Sequence, residues 1–274
     1  MSIPFLNIVL VWESLSLSGK TRIMGILNIT PDSFSDGGEN FSLEKAVSAA
    51  IKMEKDGADI IDIGGQSTRP GATPISEEEE WDRIKDIIPA VLSSVNMPVS
   101  VDTFYPSVAE KALSLGCHII NDVSGNVSPE MAKIVSFYGA GWCLVHNIEE
   151  ATNDISATVH TRLLDMLQKA TSLGVKKENI CLDAGIGFSK TREQDRILIN
   201  ETNRVRVEGS AYLLGLSRKR VIGEALCRET APEERDFGTI AANIIGVIGG
   251  ANILRVHNVA ATSDVLKVAD FILN

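Results

Sequence analysis

One pattern recurs eight times along the chain: a short apolar run rich in β-branched residues, a polar loop, an amphipathic helical stretch, and usually a glycine. The runs are RIMGILN (Arg22–Asn28), ADIIDIGG from Ala58, PVSVD from Pro98, HIIND from His118, WCLVH from Trp142, NICLD from Asn179, AYLLGLS from Ala211 and NILRVH from Asn252. Strands that are apolar without alternation are buried on both faces. Strands separated by helices pair in parallel. Eight such units in order close into a (β/α)8 TIM barrel, an α/β fold. An open doubly wound sheet is the alternative. It is weakened because no G-x-G-x-x-G follows the first run.

The spacing predicts helices from about Ser42 to Gly57, from Ser76, and from Pro106 to Gly116. Further helices are expected from about Ser128 to Gly139, Ser156 to Gly174 and Arg192 to Val205. The last three run from Lys219 to Leu226, from about Thr230 to Gly249, and from about Thr262 to Leu273. Ser76 with Glu79, and Thr230 with Glu233, read as capping boxes. No linker or shift of composition divides the chain. It reads as a single domain over 1–274, with 1–21 as an N-terminal extension forming a short strand or hairpin and 22–274 as the barrel.

Composition excludes several classes. The 274 residues carry 26 Lys+Arg against 36 Asp+Glu, a formal charge of −10, which argues against a nucleic-acid partner. No apolar stretch is long enough to span a bilayer, so no membrane partner is expected. Cys117, Cys143, Cys181 and Cys227 form no C-x-x-C pair, and the histidines have no zinc spacing. Reduced thiols fit a cytoplasmic protein.

Barrel chemistry sits at the C-terminal ends of the strands. The runs end in Asn28, Asp62, Asp102, Asn121, His146, Asp183, Ser217, and Arg255 with His257. Any one of these could be a turn former or helix cap. A whole ring of them is harder to explain that way. Asp102, Asn121 and Asp183 suit the edge of a flat, nitrogen-rich heterocycle, because a carboxylate can grip an amidine-like edge with paired hydrogen bonds. Arg69, Lys219, Arg255 and His257 suit a phosphate or pyrophosphate. The segments Asn28–Phe41 and Gly64–Ile75 are long loops of the kind that form lids, and Phe34 is a lone aromatic in the first.

These residues resemble the dihydropteroate synthases of folate biosynthesis over essentially the whole chain. MGILNITPDSFSDGG (24–38) and DGADIIDIGGQSTRPGA (56–72) are similar to that family's two signatures. SVDT (100–103), INDVSG (120–125), LDAGIGFSKT (182–191), GLSRK (215–219) and RVH (255–257) follow in the family's order. The resemblance implies a transferase that condenses 6-hydroxymethyl-7,8-dihydropterin pyrophosphate with p-aminobenzoate, giving 7,8-dihydropteroate and pyrophosphate. It implies that Asp102, Asn121, Asp183 and Lys219 hold the pterin, with Asp102, Asp183 and Lys219 as catalytic candidates. Thr68, Arg69, Arg255, Val256 and His257 would meet the pyrophosphate. Phe34, Asp36, Pro70, Phe188 and Ser217 would line the p-aminobenzoate subsite, with Lys219 beside them. A Mg2+ cofactor would be held partly by Asn28. The family is a sulfonamide target and usually forms a homodimer.

The chain departs from the family pattern at Gln66, Ala184, Ser189, Asp195, Arg220 and Asn258, of which Arg220 adds charge beside the p-aminobenzoate subsite. Two other readings remain open. One is a pterin-dependent methyltransferase acting on methyltetrahydrofolate, which should not need SRK or RVH. The other is a catalytically weak pterin-binding paralogue.

Overall fold

The computed structural model describes residues 20–29, 38–67 and 73–273. The expected N-terminal strand or hairpin lies outside them, apart from Lys20 and Thr21.

Eight parallel strands close into a barrel in sequence order, each paired to the next and the last to the first. They are β1 (Arg22–Asn28), β2 (Ile60–Gly64), β3 (Val99–Asp102), β4 (Ile119–Asp122), β5 (Gly141–Val145), β6 (Ile180–Asp183), β7 (Ala211–Leu214) and β8 (Ile253–Val256). Alternate residues face the barrel interior. Met24, Ile60, Ile119, Cys143, Cys181, Leu213 and Ile253 fill its floor. The opposite set, among them Ile61, Val101, Ile120, Leu182 and Leu254, packs outward under the helices. Both faces are therefore buried, which is why the runs show no polar alternation. Each such Ile or Leu contributes about 1.5–3 kcal/mol by leaving water.

The helices, in chain order, are α1 (Gly38–Asp56), α2 (Glu77–Ile84), α3 (Ile87–Ser94), α4 (Pro106–Ser114), α5 (Pro129–Tyr138) and α6 (Ile155–Ser172). They continue with α7 (Arg192–Asn200), α8 (Thr202–Val205), α9 (Arg220–Ala225), α10 (Asp236–Ile248) and α11 (Val259–Leu273). Several differ from the sequence reading. Residues Gly38–Phe41, read as loop, already belong to α1. The single helix expected over 192–205 is broken at Glu201, which ends α7 and opens α8. Thr230 caps nothing: Pro232 starts a 3-10 turn to Arg235, and α10 begins only at Asp236. The Thr230 hydroxyl instead accepts from Arg235 Nε at 2.8 Å. Ser76 does accept from the Glu79 amide at 3.2 Å. The Glu79 carboxylate, however, turns to Arg83 at 2.6 Å, so only half of that capping box forms. The last helix begins at Val259, three residues before the expected Thr262. Cys117, Cys143 and Cys181 are buried free thiols, and Cys227 is exposed. No helix among the described residues is long and apolar enough to cross a membrane.

Candidate active site

Inward-facing residues at the strand ends meet in one mouth. Arg255 on β8 reaches across it, with Nε 2.6 Å from Asp62 Oδ2 and Nη2 2.7 Å from Asp102 Oδ2. The Asn121 amide donates to the same Asp62 oxygen at 3.2 Å. Two carboxylates thus share one guanidinium, a formal excess of one negative charge. Burial pushes the Asp102 carboxyl up; Arg255 opposes this and Asp62 adds to it. The other oxygens, Asp62 Oδ1, Asp102 Oδ1 and Asn121 Oδ1, are buried without a hydrogen-bond partner among the described residues. Unpaired buried acceptors are costly. Three at one strand-end mouth are a prepared surface for a donor-rich ligand.

The other side is built on the β6 turn. Asp183 Oδ1 accepts the Gly185 amide at 2.7 Å. Burial raises the Asp183 carboxyl, against the pull of nearby Lys219. Lys219 caps α9 and folds back over the turn. Its Nζ donates to the Ile186 carbonyl and lies 4.4 Å from the centre of the Phe188 ring. Burial lowers the Lys219 ammonium to about 8, with Asp183 holding it back. Gly187 makes this crossing possible: it has φ +78°, and a Cβ there would stand 3.0 Å from Lys219 Cδ. Ser217 and His257, expected in different subsites, are in contact, with Ser217 Oγ 2.9 Å from His257 Nδ1. Asn28 ends β1 opposite Gly64, and a Cβ on that glycine would lie 3.6 Å from Asn28 Oδ1 and 3.7 Å from Asp102 Cβ.

A scan against family models matches residues 24–257 to the pterin binding enzymes. The dihydropteroate synthase of Bacillus subtilis is 43% identical over 264 residues, spanning 96% of this chain and 92% of its own. The chain belongs to the dihydropteroate synthase family of pterin-binding enzymes. Among solved structures, the Xanthomonas albilineans dihydropteroate synthase with 4-aminobenzoic acid superposes with a TM-score of 0.88 at 39% identity, covering 93% of each chain. The same enzyme in complex with 7,8-dihydropteroate gives 0.85 at 37% identity, covering 93% of this chain and 94% of that one.

Of the residues expected to serve a dihydropteroate synthase, Asn28, Asp102, Asn121, Asp183, Phe188, Ser217, Lys219, Arg255 and His257 all lie at the strand-end mouth. Two placements differ from expectation. Val256 has the opposite parity, and its side chain is buried in the outer core, so only its main chain is left to face a ligand. His146 was grouped with the ring but also points outward, toward Lys190 at 3.0 Å and Glu150 at 3.5 Å. Thr68, Arg69, Pro70, Phe34 and Asp36 lie outside the described residues. Sequence position places Asp62 in the ring, and the structure makes it the second carboxylate of Arg255. Glu80 on α2 carries no such signal in the sequence. It is fully buried, accepts from Thr103 Oγ1 at 2.9 Å, and is pushed up to about 7 by burial, while Thr103 and Gln66 pull the other way. Nothing in the spacing of the acidic run at 77–80 marks its last member as the buried one before the barrel is built.

Proposed function

We propose that the chain is the transferase that joins p-aminobenzoate to a dihydropterin pyrophosphate, releasing pyrophosphate. The observation that carries this is the set of unpartnered buried oxygens on Asp62, Asp102 and Asn121, opposite Asp183 and Lys219. In this reading the pterin's amino and ring N–H groups satisfy the acceptors on Asp102 and Asn121. By formal count, Asp62, Asp102 and Asp183 against Arg255 and Lys219 give the mouth one excess negative charge. That charge favours a pterin whose exocyclic carbon turns cationic as the C–O bond breaks and its electron pair leaves with pyrophosphate. The amine lone pair of p-aminobenzoate then forms the C–N bond, and its extra proton passes to solvent. A neutral aromatic amine needs no strong base, and the reading assigns none.

Pterin contacts are assigned to Asp102, Asn121, Asp183 and Lys219. Contacts to pyrophosphate are assigned to Thr68, Arg69, Arg255, the Val256 main chain and His257. The p-aminobenzoate side is assigned to Phe34, Asp36, Pro70, Phe188 and Ser217. Mg2+ would supply charge to the leaving pyrophosphate. Asn28 fits a partial role in holding it, because its carboxamide is a single hard oxygen donor and Mg2+ takes few protein ligands beside substrate phosphates. Among the described residues there is no cluster of three acidic, His or Cys side chains to hold a metal by itself. That is consistent with a metal arriving on the substrate.

A homodimer is proposed through α10 and α11, which touch each other and expose Phe237 (87%), Ile248 (67%) and Phe271 (87%). So much apolar surface is unusual on a monomer. Sedimentation at micromolar concentration reads it directly. A cytoplasmic location is proposed from the reduced thiols.

The deciding experiment is rescue of a folate-requiring strain that lacks the synthase, with turnover measured on the purified chain. Rescue with pyrophosphate release supports the proposal. Tight binding of a pterin analogue without turnover would instead make the chain a binding paralogue, and methyl transfer from methyltetrahydrofolate would make it a methyltransferase.

A further inference from the structure

The β6 turn carries Phe188 at the mouth, and something outside the mouth must fix it. Its residues Gly185 and Gly187 both have positive φ, at 69° and 78°, and Ser189 has φ 47°. A turn of that shape has no ladder of its own. Two groups behind it supply the missing bonds. Asp195 on α7 accepts the Gly187 amide at 2.7 Å and is neutralised by Arg192 at 2.7 Å. Lys190 folds back under the turn, and its Nζ meets the Phe188 carbonyl at 3.0 Å, the His146 carbonyl at 3.1 Å and His146 Nδ1 at 3.0 Å. An ammonium has three hydrogens, and all three are used.

The acceptor role of His146 is consistent with its surroundings. Burial and the nearby Lys190 charge lower its imidazole to about 4, so it is neutral near neutrality. With Lys190 donating to Nδ1, the ring proton sits on Nε2, which faces Glu150 Oε1 at 3.5 Å. The turn is pressed against the same place from above. A Cβ on Gly185 would lie 1.9 Å from the His146 carbonyl oxygen. The end of β5 and the turn after β6 are thus stitched together by one side chain that does not itself enter the mouth.

We propose that Lys190 is a positioning residue for the aromatic-amine side of the site. It acts through the Phe188 carbonyl, which sets the Phe188 ring, and through the turn on which Lys219 rests by way of the Ile186 carbonyl. The Asp62, Asp102, Asn121 and Arg255 network stands on β2, β3, β4 and β8, away from this stitch, whereas Asp183 and Lys219 meet the turn at the Gly185 amide and the Ile186 carbonyl. The assignment of the Phe188 side to p-aminobenzoate rests on the proposed function.

The test uses the full-length chain with Lys190→Met, which keeps the stem and removes the donors, and Lys190→Arg, which keeps the charge but spreads its donors over a planar fork. Two readouts are taken: KM for each substrate, and amide hydrogen exchange over 185–189. Both variants are expected to raise KM for p-aminobenzoate about tenfold, the scale of one lost charge-assisted bond, and to raise KM for the pterin substrate by a smaller factor, about threefold, because only Asp183 and Lys219 among its contacts touch the turn. Exchange over 185–189 should speed up in both. Native exchange and native KM values in Lys190→Met would overturn the proposal. So would an equal rise in both KM values, which would mark a general loss of structure, or a fully native Lys190→Arg, which would mean that charge alone matters. If the wild-type chain turns over neither substrate, the functional reading falls, and the exchange measurement alone judges the stitch.

Discussion

Asp62, Asp102, Asn121 and Arg255 stand on four strands and bind one another through side-chain atoms alone. Across the mouth, the Asp183 side is held through the main chain: the Gly185 and Gly187 amides are taken by carboxylates, and the Ile186 and Phe188 carbonyls by lysines. The first half fixes charge on rigid supports. The second fixes the path of a turn, and the side chains follow. A strand-borne charge network has no cheap way to relax when one member is lost, because the partners stay buried where they are. A turn can shift and take up water.

That contrast sets the order of expected effects. Arg255→Leu should be the most damaging change. It leaves Asp62 and Asp102, 0% and 4% exposed, facing each other without their shared guanidinium. Unpairing a buried ion in this way costs roughly 3–5 kcal/mol. Lys219→Met removes a cation of similar burial from the other half. There Asp183 keeps its Gly185 amide, so the loss of stability should be well under half as large. Urea denaturation of both variants measures the ratio. Equal losses would erase the distinction between the halves.

Glu80→Gln probes the support behind the strand half. The Glu80 carboxyl is raised from an ordinary 4.5 to about 7, chiefly by burial, and it holds the hydroxyl of Thr103, the residue after Asp102. A raised acid favours the folded state while protonated. Its contribution is complete below about pH 4.5 and is lost as pH rises through about 7. Relative to the wild type, the glutamine variant should therefore gain up to roughly 3 kcal/mol between those limits. A stability difference that stays constant from pH 4 to 8 would mean that Glu80 is not held neutral by the fold.

Asp183→Asn tests the turn half with its geometry kept, since the amide oxygen can still accept from Gly185. Only the charge is lost. Calorimetry with a pterin analogue should show binding weaker by about 1.5–3 kcal/mol, the worth of a charge-assisted hydrogen bond. Native affinity would remove Asp183 from the pterin contacts.

The barrel and most of the strand half were legible because they depend on period and position. A residue two places along a buried strand faces the same side, so Asp62, Asp102, Asn121 and Arg255 could be placed at one mouth before any coordinate was known. The same period turns the side chains of His146 and Val256 outward. The turn half was legible only in part. Phe188 and Lys219 stand in motifs, whereas the role of Lys190 depends on three alternate positive-φ positions, Gly185, Gly187 and Ser189, that fold its ammonium under the chain. Glu80 was hidden for a related reason. Four consecutive acids open α2, and only packing against Thr103 and Gly65 selects the one that is buried. Helix ends shifted where a proline or a broken turn intervened, as at Pro232 and Glu201.

The smallest effect tests the shape of the turn itself. Ser189 sits at φ 47°, and its hydroxyl donates to Asn147 Oδ1 at 2.9 Å. A side chain in the left-handed region costs about 1–2 kcal/mol, which glycine does not incur. Ser189→Ala loses the hydrogen bond and keeps the strain. Ser189→Gly loses the bond, relieves the strain, and gives back about 0.4–1 kcal/mol through the greater freedom of its unfolded chain. Glycine should therefore leave the protein within about 1 kcal/mol of wild type and more stable than alanine by a few tenths to 1 kcal/mol. At an ordinary φ the order reverses, because alanine then restricts the unfolded chain at no cost in the folded one. Thermal unfolding of the two variants side by side reads that order. Alanine above glycine would mean that Ser189 is not left-handed, and the path that brings Lys190 beneath Phe188 would have to be redrawn.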